Sequence, residues 1–388
     1  MLARMSVKTR RDGQAEGTPD LGSAIRKEFA LAIALGTAAI FFATGNQLVE
    51  IIAHPVALIG VFLWLFIVIV WSAICVARHA DCLAIKLGEP YGTLILTLSA
   101  ITIEVVMIST AMLHGENNPT LGRDAIFAVI MIALNGLVGL CLLLGGLRYR
   151  EQHYNLQGVN AYLNVIMSLA VLGLVLPNFT TTTSGPTFST EQEIFLIAMS
   201  LLLYGIFLLI QTIRHRRYFV DSSDNAAETR SVHHPLQMRS TPFHATMLLL
   251  YLVAVISLAE KFAIPLDNSI EKFHMPQAFG GAVIAALVLS PEGFGALEAS
   301  LRNQLQRSIN ILFGSVLATI GLTSPAVLTI GLVTKRSVTL GVQGGNLPLL
   351  LLTLAVSVVT FTSRKTNILE GCVHLLLFAV FVLLIFAP

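Results

Sequence analysis

The sequence predicts an all-α membrane protein of about eleven transmembrane helices, in which two inverted five-helix repeats follow an extra first helix. Of the 388 residues, 55% are hydrophobic and only 12% are charged, which is too apolar for an ordinary soluble protein. Eleven apolar runs are long enough to cross a bilayer, and the basic residues fall mainly on one side of them. The lipid bilayer is therefore the expected environment of the chain.

The chain begins with a polar, basic segment, residues 1–28, which has no apolar core of the kind that a cleaved signal peptide requires. We interpret this segment as a cytoplasmic tail, and residues 29–54 as the region of the extra first helix. The eleven apolar runs lie at about 29–46, 55–77, 91–113, 124–146, 160–177, 192–213, 244–263, 277–298, 307–331, 345–362 and 368–387.

The distribution of Lys and Arg supports this number of helices. With the amino terminus inside, nineteen of the 24 basic residues fall on the cytoplasmic side. A wrong helix count would mix the two sides, so this bias also predicts an internal amino terminus and an external carboxyl terminus. The five basic residues on the outer side are Arg123, Lys261, Lys272, Lys335 and Arg336.

A basic and then polar cytoplasmic loop, residues 214–243, divides the chain into residues 55–213 and residues 244–388. Each part holds five apolar runs, and an odd number forces the two parts into opposite orientations. Glu104 lies on the second run of the first part, and Glu292 lies at a similar depth on the second run of the other part. Inverted repeats of this kind place binding sites where they meet at the midplane, so the two carboxylates are expected to face each other.

An ionised carboxylate near the middle of a spanning helix costs at least ~2.5 kcal/mol, which makes Glu104 and Glu292 candidate functional residues. Pro291 removes one helical hydrogen bond, near Leu287, and is predicted to loosen the turn beside Glu292. A carbonyl released at membrane depth can bind a cation. Five neighbouring polar residues are candidate additional ligands, although helix–helix hydrogen bonds also account for several of them: Thr102, Asn135, Ser290, Ser315 and Thr319.

Carboxylate, hydroxyl and carbonyl oxygens form a hard ligand set, which suits Ca²⁺ with its ~6 to 8 ligands better than a soft metal. Two carboxylates bind either one divalent cation or two protons with the same compensation of charge, and burial with mutual repulsion favours the protonated form. An empty, doubly charged site is too unfavourable to reorient across the membrane, so the pair predicts exchange of cations for protons. The alternative interpretations of each acid are a structural hydrogen bond inside the bundle, or misplaced helix ends that leave the acid at the membrane interface.

Other function classes lack support in the sequence. We find no nucleophilic Ser elbow, no zinc-binding His pair and no paired catalytic Asp, so we predict that the chain is not an enzyme and needs no cofactor. The basic residues after the sixth run are interpreted as a topology signal, and no nucleic-acid partner is expected. A passive cation channel is the alternative from a different class. The four cysteines have no paired spacing: Cys75, Cys82, Cys141 and Cys372.

Five segments of the sequence are distinctive: GEPYGTLILTLSAITIE (88–104), GLVGLCLLLGGLRYREQHYN (136–155), ALVLSPEGFGAL (286–297), FGSVLATIGLT (313–323) and KTNILEG (365–371). They resemble the Ca²⁺/cation:proton antiporters of the CAX type, which belong to the CaCA superfamily. The resemblance implies a secondary antiporter of a bacterial inner (plasma) membrane, with a periplasmic carboxyl terminus, that exports Ca²⁺, Na⁺ or K⁺ in exchange for protons. It also implies that Glu104 and Glu292 bind cation and proton in alternation.

The sequence departs from the family pattern at the expected amides. The usual Gly-Asn-x-x-Glu motif reads Ala-Ile-Thr-Ile-Glu before Glu104 and Val-Leu-Ser-Pro-Glu before Glu292. The family's Gly-Ser-x-x-Gln motif keeps Gly314 and Ser315 but has Ala318 in place of the amide. Each change removes an oxygen ligand, so a monovalent cation:proton antiporter with little Ca²⁺ activity is the alternative within transport.

Overall fold

The computed structural model describes residues 28–45, 52–88, 91–114, 119–219 and 239–387. Within these ranges the chain forms eleven helices, so the predicted all-α class and helix number are confirmed. Most of the predicted tail and residues 220–238 of the predicted loop lie outside the described residues. The helices are α1 (Phe29–Ala43), α2 (Pro55–Leu87), α3 (Tyr91–His114), α4 (Leu121–Tyr149), α5 (Leu156–Asn178), α6 (Thr190–Arg214), α7 (Thr241–Lys272), α8 (Ala278–Leu301), α9 (Leu305–Thr334), α10 (Asn346–Thr360) and α11 (Ile368–Phe386).

Nine helices in the described part of the chain are long and apolar enough to cross a membrane. The other two, α1 and α10, have 15 residues each, fewer than the ~20 that a full span requires. The chain before α10 has no regular secondary structure over residues 336–343. The N–H of Gly341 there donates to the carbonyl of Pro186 at 3.0 Å. The N–H of Val342 likewise donates to Leu174 at 2.8 Å, so other parts of the protein satisfy this non-helical backbone.

Among the described residues, two helices begin with a capping box, in which a polar side chain and the helix backbone satisfy each other's hydrogen bonds. Ser189 and Gln192 form the box of α6. Asn367 and Glu370 form that of α11, which explains the polar residues of the KTNILEG segment. These caps define where each helix starts.

Four helices contain a widened π-helical turn, namely Ile132–Leu137 in α4, Val171–Val175 in α5, Ile210–Arg214 in α6 and Thr319–Thr323 in α9. The loosening predicted at Pro291 is not seen, because α8 continues through this proline as an uninterrupted α-helix. A proline removes only one helical hydrogen bond, and the Ser290 hydroxyl donates to the Ala286 carbonyl at 2.6 Å in the same turn.

Two kinds of contact hold the helix bundle together. Some helices pack along much of their length, and others cross with their backbones close together. Helix α7 packs along α2, and α3 packs against both of them, while α4 packs against α8 and α11. Glycine allows two of these crossings. A Cβ on Gly281 of α8 would lie 2.6 Å from the carbonyl carbon of Asp124, and one on Gly371 of α11 would lie 2.6 Å from the N atom of Leu143. The backbones of α4, α8 and α11 are therefore in direct contact.

The GGLRYREQHYN segment joins the ends of three helices. Its strand β1 (Gln152–His153) pairs antiparallel with β2 (Lys365–Thr366), just before α11. The buried Gln152 side chain donates from Nε2 to the carbonyl of Ser300, near the end of α8, at 2.9 Å. A Cβ on Gly145 would lie only 1.7 Å from Gln152 Oε1, so glycine is required at this position for Gln152 to fit.

Candidate functional site

Glu104 lies in the middle of α3, and its side chain is only 4% exposed. One carboxylate oxygen, Oε2, accepts hydrogen bonds from the hydroxyls of Thr319 at 3.0 Å and Thr323 at 2.9 Å. The other oxygen, Oε1, is buried and has no hydrogen-bond partner among the described residues. Only one of the two carboxylate oxygens of Glu104 is thus hydrogen-bonded to the described residues, and the other is available to a proton or a cation.

Both threonines belong to the π turn of α9. Their spacing of four residues places the two side chains on one face, which is directed at α3. The N–H of Ser324 donates to the carbonyl of Thr319, five residues back, and Pro325 has no N–H. The carbonyls of Ile320 and Gly321 consequently lack their usual α-helical donors. The turn that holds Glu104 therefore also offers backbone oxygens.

Glu292 lies on α8 and is half-buried. Its Oε2 atom is buried without a hydrogen-bond partner in the described part of the chain. Glu292 lies within electrostatic range of Glu104 and of the exposed Asp81 on α2. The two predicted acids therefore share one region of the bundle, where each repels the other when both are ionised.

The surroundings of the two acids are related. Helix α3, with Glu104, packs on the π turn of α9, and α8, with Glu292, packs on the π turn of α4. The second contact is close, because a Cβ on Gly293 would lie 3.0 Å from the Leu137 side chain. The partners differ, however, since the α9 turn supplies two hydroxyls to Glu104 while Glu292 Oε2 has no equivalent donor.

The other predicted ligands occupy varied environments. Thr319 contacts Glu104 directly. The hydroxyls of Thr102 and Ser290 each donate to the carbonyl four residues back on their own helix, at 2.6 Å in both cases. Ser315 is half-buried, one helical turn before Thr319. Ligation by Thr102, Ser290 and Ser315 stays a prediction.

Asn135 lies in the π turn of α4 and is fully buried. Its Nδ2 donates to the Thr353 hydroxyl at 2.8 Å, and its Oδ1 lies 3.2 Å from Nδ1 of the buried His374. The amide thereby fastens α10 and α11 to α4. Its role as a cation ligand also stays a prediction.

Thr323 and His374 were not among the residues singled out from the sequence. Thr323 could have been identified from the sequence, because it follows Thr319 at a spacing of four residues and is itself followed by Pro325. No local pattern marks His374, because its partners lie on α4 and α10.

The described residues contain no group of three or more His, Cys, Asp or Glu side chains that is arranged to hold a metal ion. The site instead offers two carboxylates with hydroxyl and carbonyl oxygens, a set that suits a hard cation such as Na⁺, K⁺ or Ca²⁺.

The sequence model of the family described as sodium/calcium exchanger protein matches residues 57–213 and 244–387. This chain belongs to the sodium/calcium exchanger family. The family resemblance predicted from the five segments is thus confirmed, and the matched ranges leave out α1 and the whole loop between α6 and α7.

Individual relatives agree with this family assignment. The chain is 43% identical to the putative ionic transporter y4hA of Sinorhizobium fredii, over 80% of this chain and 84% of that protein. It is 39% identical to the sodium-potassium/proton antiporter ChaA of Escherichia coli, over 89% of this chain and 98% of that protein.

The fold is similar to that of a solved Ca²⁺/H⁺ antiporter protein, YfkE, with a TM-score of 0.67 at 17% identity. The match covers 93% of this chain and 100% of the YfkE chain. At this level of identity the likeness concerns the fold alone.

Proposed function

We propose that this exchanger-family chain is a secondary active antiporter that exports Na⁺, K⁺ or Ca²⁺ in exchange for protons. Glu104 and Glu292 form its binding site. The observation that carries this proposal is the pair of acids on α3 and α8, each with one buried carboxylate oxygen that has no hydrogen-bond partner among the described residues. The names of the relatives ChaA, a sodium-potassium/proton antiporter, and YfkE, a Ca²⁺/H⁺ antiporter, support it.

The exchange follows from charge compensation. Two ionised carboxylates attract one divalent cation or two monovalent cations, and two protons remove the same charge. A neutralised site crosses the apolar barrier far more readily than an empty site with two charges, because moving charge into a medium of low dielectric is strongly unfavourable. Each reorientation therefore carries either cation or protons, which couples the two fluxes by alternating access.

The two parts of the chain act in this proposal as inverted repeats, residues 55–213 and 244–388. The matching lengths of the first three helices of each part support the correspondence. Helices α2 and α7 have 33 and 32 residues, α3 and α8 have 24 each, and α4 and α9 have 29 and 30, each of the last pair with an internal π turn. The acids then lie at equivalent positions, where inverted repeats meet.

The proposed location is a bacterial inner membrane, with the amino terminus in the cytoplasm and the carboxyl terminus in the periplasm. The bias of basic residues toward one side of the helices supports this orientation. Protons that enter down their gradient would then drive cations outward.

The hydroxyls at Glu104 bear on selectivity. Thr319 and Thr323 donate their protons to Oε2, so in this arrangement they stabilise the carboxylate rather than add ligands to a cation. Fewer oxygen ligands disfavour Ca²⁺, which requires ~6 to 8. A monovalent cation:proton antiporter with little Ca²⁺ activity is therefore the second candidate function.

Inverted membrane vesicles with an acidic interior test the proposal. Na⁺, K⁺ and Ca²⁺ are added in turn, and proton release is followed for the native chain, Glu104→Gln and Glu292→Gln. We expect either substitution to abolish cation-dependent proton release, because an amide carries no exchangeable charge. The order of the cations decides between the two selectivities.

Glu298→Gln is the matched control, because Glu298 is an exposed acid on the same helix as Glu292 and pairs with Arg302. Its exchange should equal that of the native chain. Full exchange by both Glu104→Gln and Glu292→Gln would refute the proposed site. Net current without any coupled proton movement would instead identify a passive cation channel.

A further inference from the structure

Asp81 is an acid near the end of α2 that has no part in the paired-acid site. Its side chain is exposed, although its neighbours Ala80 and Cys82 are both buried. Helix α2 packs directly against α8, and Asp81 lies within electrostatic range of the Glu292 carboxylate on that helix. An accessible negative charge is therefore held beside one of the two exchanging acids.

The position of Asp81 relative to the membrane follows from the two helices. In the proposed orientation, α2 and α8 both end on the cytoplasmic side, at Leu87 and Leu301. At a rise of ~1.5 Å per residue, Asp81 lies about 9 Å before the end of its helix and Glu292 about 14 Å before the end of its own. Glu292 is half-buried, whereas Glu104 is only 4% exposed. A cation that arrives from the cytoplasm consequently passes Asp81 before it reaches the more accessible acid.

The basic residues nearest to Asp81 on α2 have partners of their own. Arg78 forms an ion pair with Glu28 at 2.7 Å, so its charge is compensated. The Lys86 ammonium donates to a backbone carbonyl just before α7. The negative charge of Asp81 can therefore act on Glu292 and on an approaching cation. Such a field raises the local concentration of cations and needs no direct ligand contact.

The second part of the chain carries a corresponding acid. Asp81 is as far from Pro55, the first residue of α2, as Asp267 is from Thr241, the first residue of α7. Asp267 is half-buried and lies near the opposite side of the membrane. Helix α7 packs against α3, as α2 packs against α8. Each first helix thus bears an aspartate toward a different face of the protein.

We propose that Asp81 is a steering residue at the cytoplasmic entrance, which draws inorganic cations toward Glu292 by its negative field. Asp267 has the corresponding place at the outer face. This inference deepens the proposed antiport function and rests on it. Asp81 remains outside the transport site and does not travel with the cation, so it governs how readily the site fills rather than how fast the loaded site reorients.

Asp81→Asn tests this role in inverted vesicles, where the medium bathes the cytoplasmic face. The assay is run at about pH 8.5, far above the ordinary carboxyl pKa, so that competition by protons is weakest. At an ionic strength of about 0.01 M we expect the KM for the exported cation to rise about three- to tenfold with an unchanged maximal rate. Equal KM values for the native chain and this variant would overturn the proposal.

Ionic strength separates steering from packing. Choline chloride, added to about 0.5 M with balanced osmolarity, shortens the Debye length from ~30 Å to ~4 Å. The native KM should then approach that of Asp81→Asn, while Asp81→Glu, which keeps the charge, should match the native chain at both salt concentrations. A difference that persists in high salt, or that Asp81→Glu also shows, would assign Asp81 a structural role and refute steering.

Asp267→Asn is the matched control, because it makes the same change at the corresponding position of the other part of the chain. Its KM at the cytoplasmic face should equal that of the native chain. A rise equal to that of Asp81→Asn would show that any loss of an acid weakens cation uptake, and would contradict an entrance at Asp81.

A thiol at position 292 measures the field of Asp81 without any transport assay. Glu292→Cys in a Cys372→Ser background is treated in inverted vesicles with a cationic and an anionic methanethiosulfonate of similar size, and labelling at position 292 is read by mass spectrometry. The ratio of the two rates reports the local potential and is independent of the thiol pKa, because both reagents react with the same thiolate. Adding Asp81→Asn should lower the cationic-to-anionic ratio several-fold, and adding Asp267→Asn should leave it unchanged.

The two assays fail separately. An unchanged ratio on adding Asp81→Asn would refute the steering role even if exchange is intact. Absence of cation-dependent proton release by the native chain would contradict the proposed function, while the thiol ratio would still decide whether Asp81 sets the field at position 292.

Discussion

Glu104 illustrates how a single residue can be both buried and functional. Two hydroxyls donate to one of its oxygens, and the other oxygen is left without a partner among the described residues. Hydrogen bonds to a charged group contribute about 1.5–3 kcal/mol each. The two threonines therefore offset part of the unfavourable free energy of a carboxylate in the membrane, without occupying the atom that the cation needs.

Thr323→Val should weaken cation binding. The substitution removes one hydroxyl donor from the ionised carboxylate at nearly constant volume, and a loss of about 1.4 kcal/mol corresponds to a tenfold change in affinity. We expect the KM for the exported cation to rise about tenfold in the vesicle assay. Thr329→Val is the control, because that hydroxyl donates to the Pro325 carbonyl of its own helix. Equal KM values for the two variants would argue against a role of Thr323 at the site.

The pKa of Glu28, the residue before α1, predicts a pH-dependent stability. Partial burial raises the pKa of this carboxyl, but the hydrogen bond from His79, the Arg78 charge and the Tyr251 hydrogen bond outweigh that effect. Because the folded-state pKa is lower than the ordinary value of ~4.3, the ionised carboxylate stabilises the fold above that pH. This stabilisation is lost as the pH falls through the folded-state pKa. Glu28→Gln should therefore have a lower Tm than the native chain at about pH 7, and the difference should shrink as the pH falls and disappear below the folded-state pKa. A Tm difference that persists in acid would contradict this assignment.

At the scale of whole helices, the crossing of α4 and α8 positions Glu292. The contact at Gly281 is made to backbone atoms, with a Cβ placed 2.6 Å from the Asp124 carbonyl carbon and 2.7 Å from the Ala125 N atom. Backbone atoms cannot move aside as a flexible side chain can, so a larger residue must push α8 away from α4.

Gly281→Ala should accordingly destabilise the protein by about 1–3 kcal/mol, the usual effect of overpacking. Gly295→Ala on the same helix provides the comparison, because its nearest neighbour would be 3.7 Å away and alanine favours the helix by up to about 1 kcal/mol. Thermal unfolding in detergent should give a lower Tm for the first variant and an equal or higher Tm for the second. The reverse order would show that the crossing tolerates a side chain.

At the scale of the molecule, α4 and α11 are packed together as one rigid unit. Their backbones touch at Gly139 and Gly371, and β1 and β2 pair immediately beyond their adjoining ends. An exposed ion pair between Glu151 and Lys365 adds to the same junction. We expect the two helices to move together during any transport cycle.

A disulfide across the β1–β2 pair tests this expectation. His153 and Lys365 are register partners and are exposed, so His153→Cys with Lys365→Cys can be joined by mild oxidation in a Cys372→Ser background. Exchange should change by less than about twofold on oxidation and be unaffected by subsequent reduction. Loss of exchange that a reducing agent restores would show that α4 and α11 separate during transport.

The sequence was sufficient for features that each residue carries on its own. Eleven apolar runs predicted eleven helices, and the isolation of Glu104 and Glu292 in such runs marked both acids. Contacts between helices that are distant in the sequence could not be predicted. Examples are the contact of Thr323 with Glu104 and that of His79 with His244. The π turns were also missed, because hydrophobic periodicity hardly differs between an α-helix and a single wide turn.

The non-helical segment before α10 has a consequence for biosynthesis. Its backbone donors at Thr339, Gly341 and Val342 bond to carbonyls of Pro119, Pro186 and Leu174, all of which leave the ribosome more than a hundred residues earlier. The acceptors of this segment are thus synthesised before the segment itself. Gln152 is in the opposite position, because Ser300 and Thr366 are synthesised long after it. The junction at β1 can close only after residue 366 has been synthesised, so nascent chains that end before this residue should lack the β1–β2 pair.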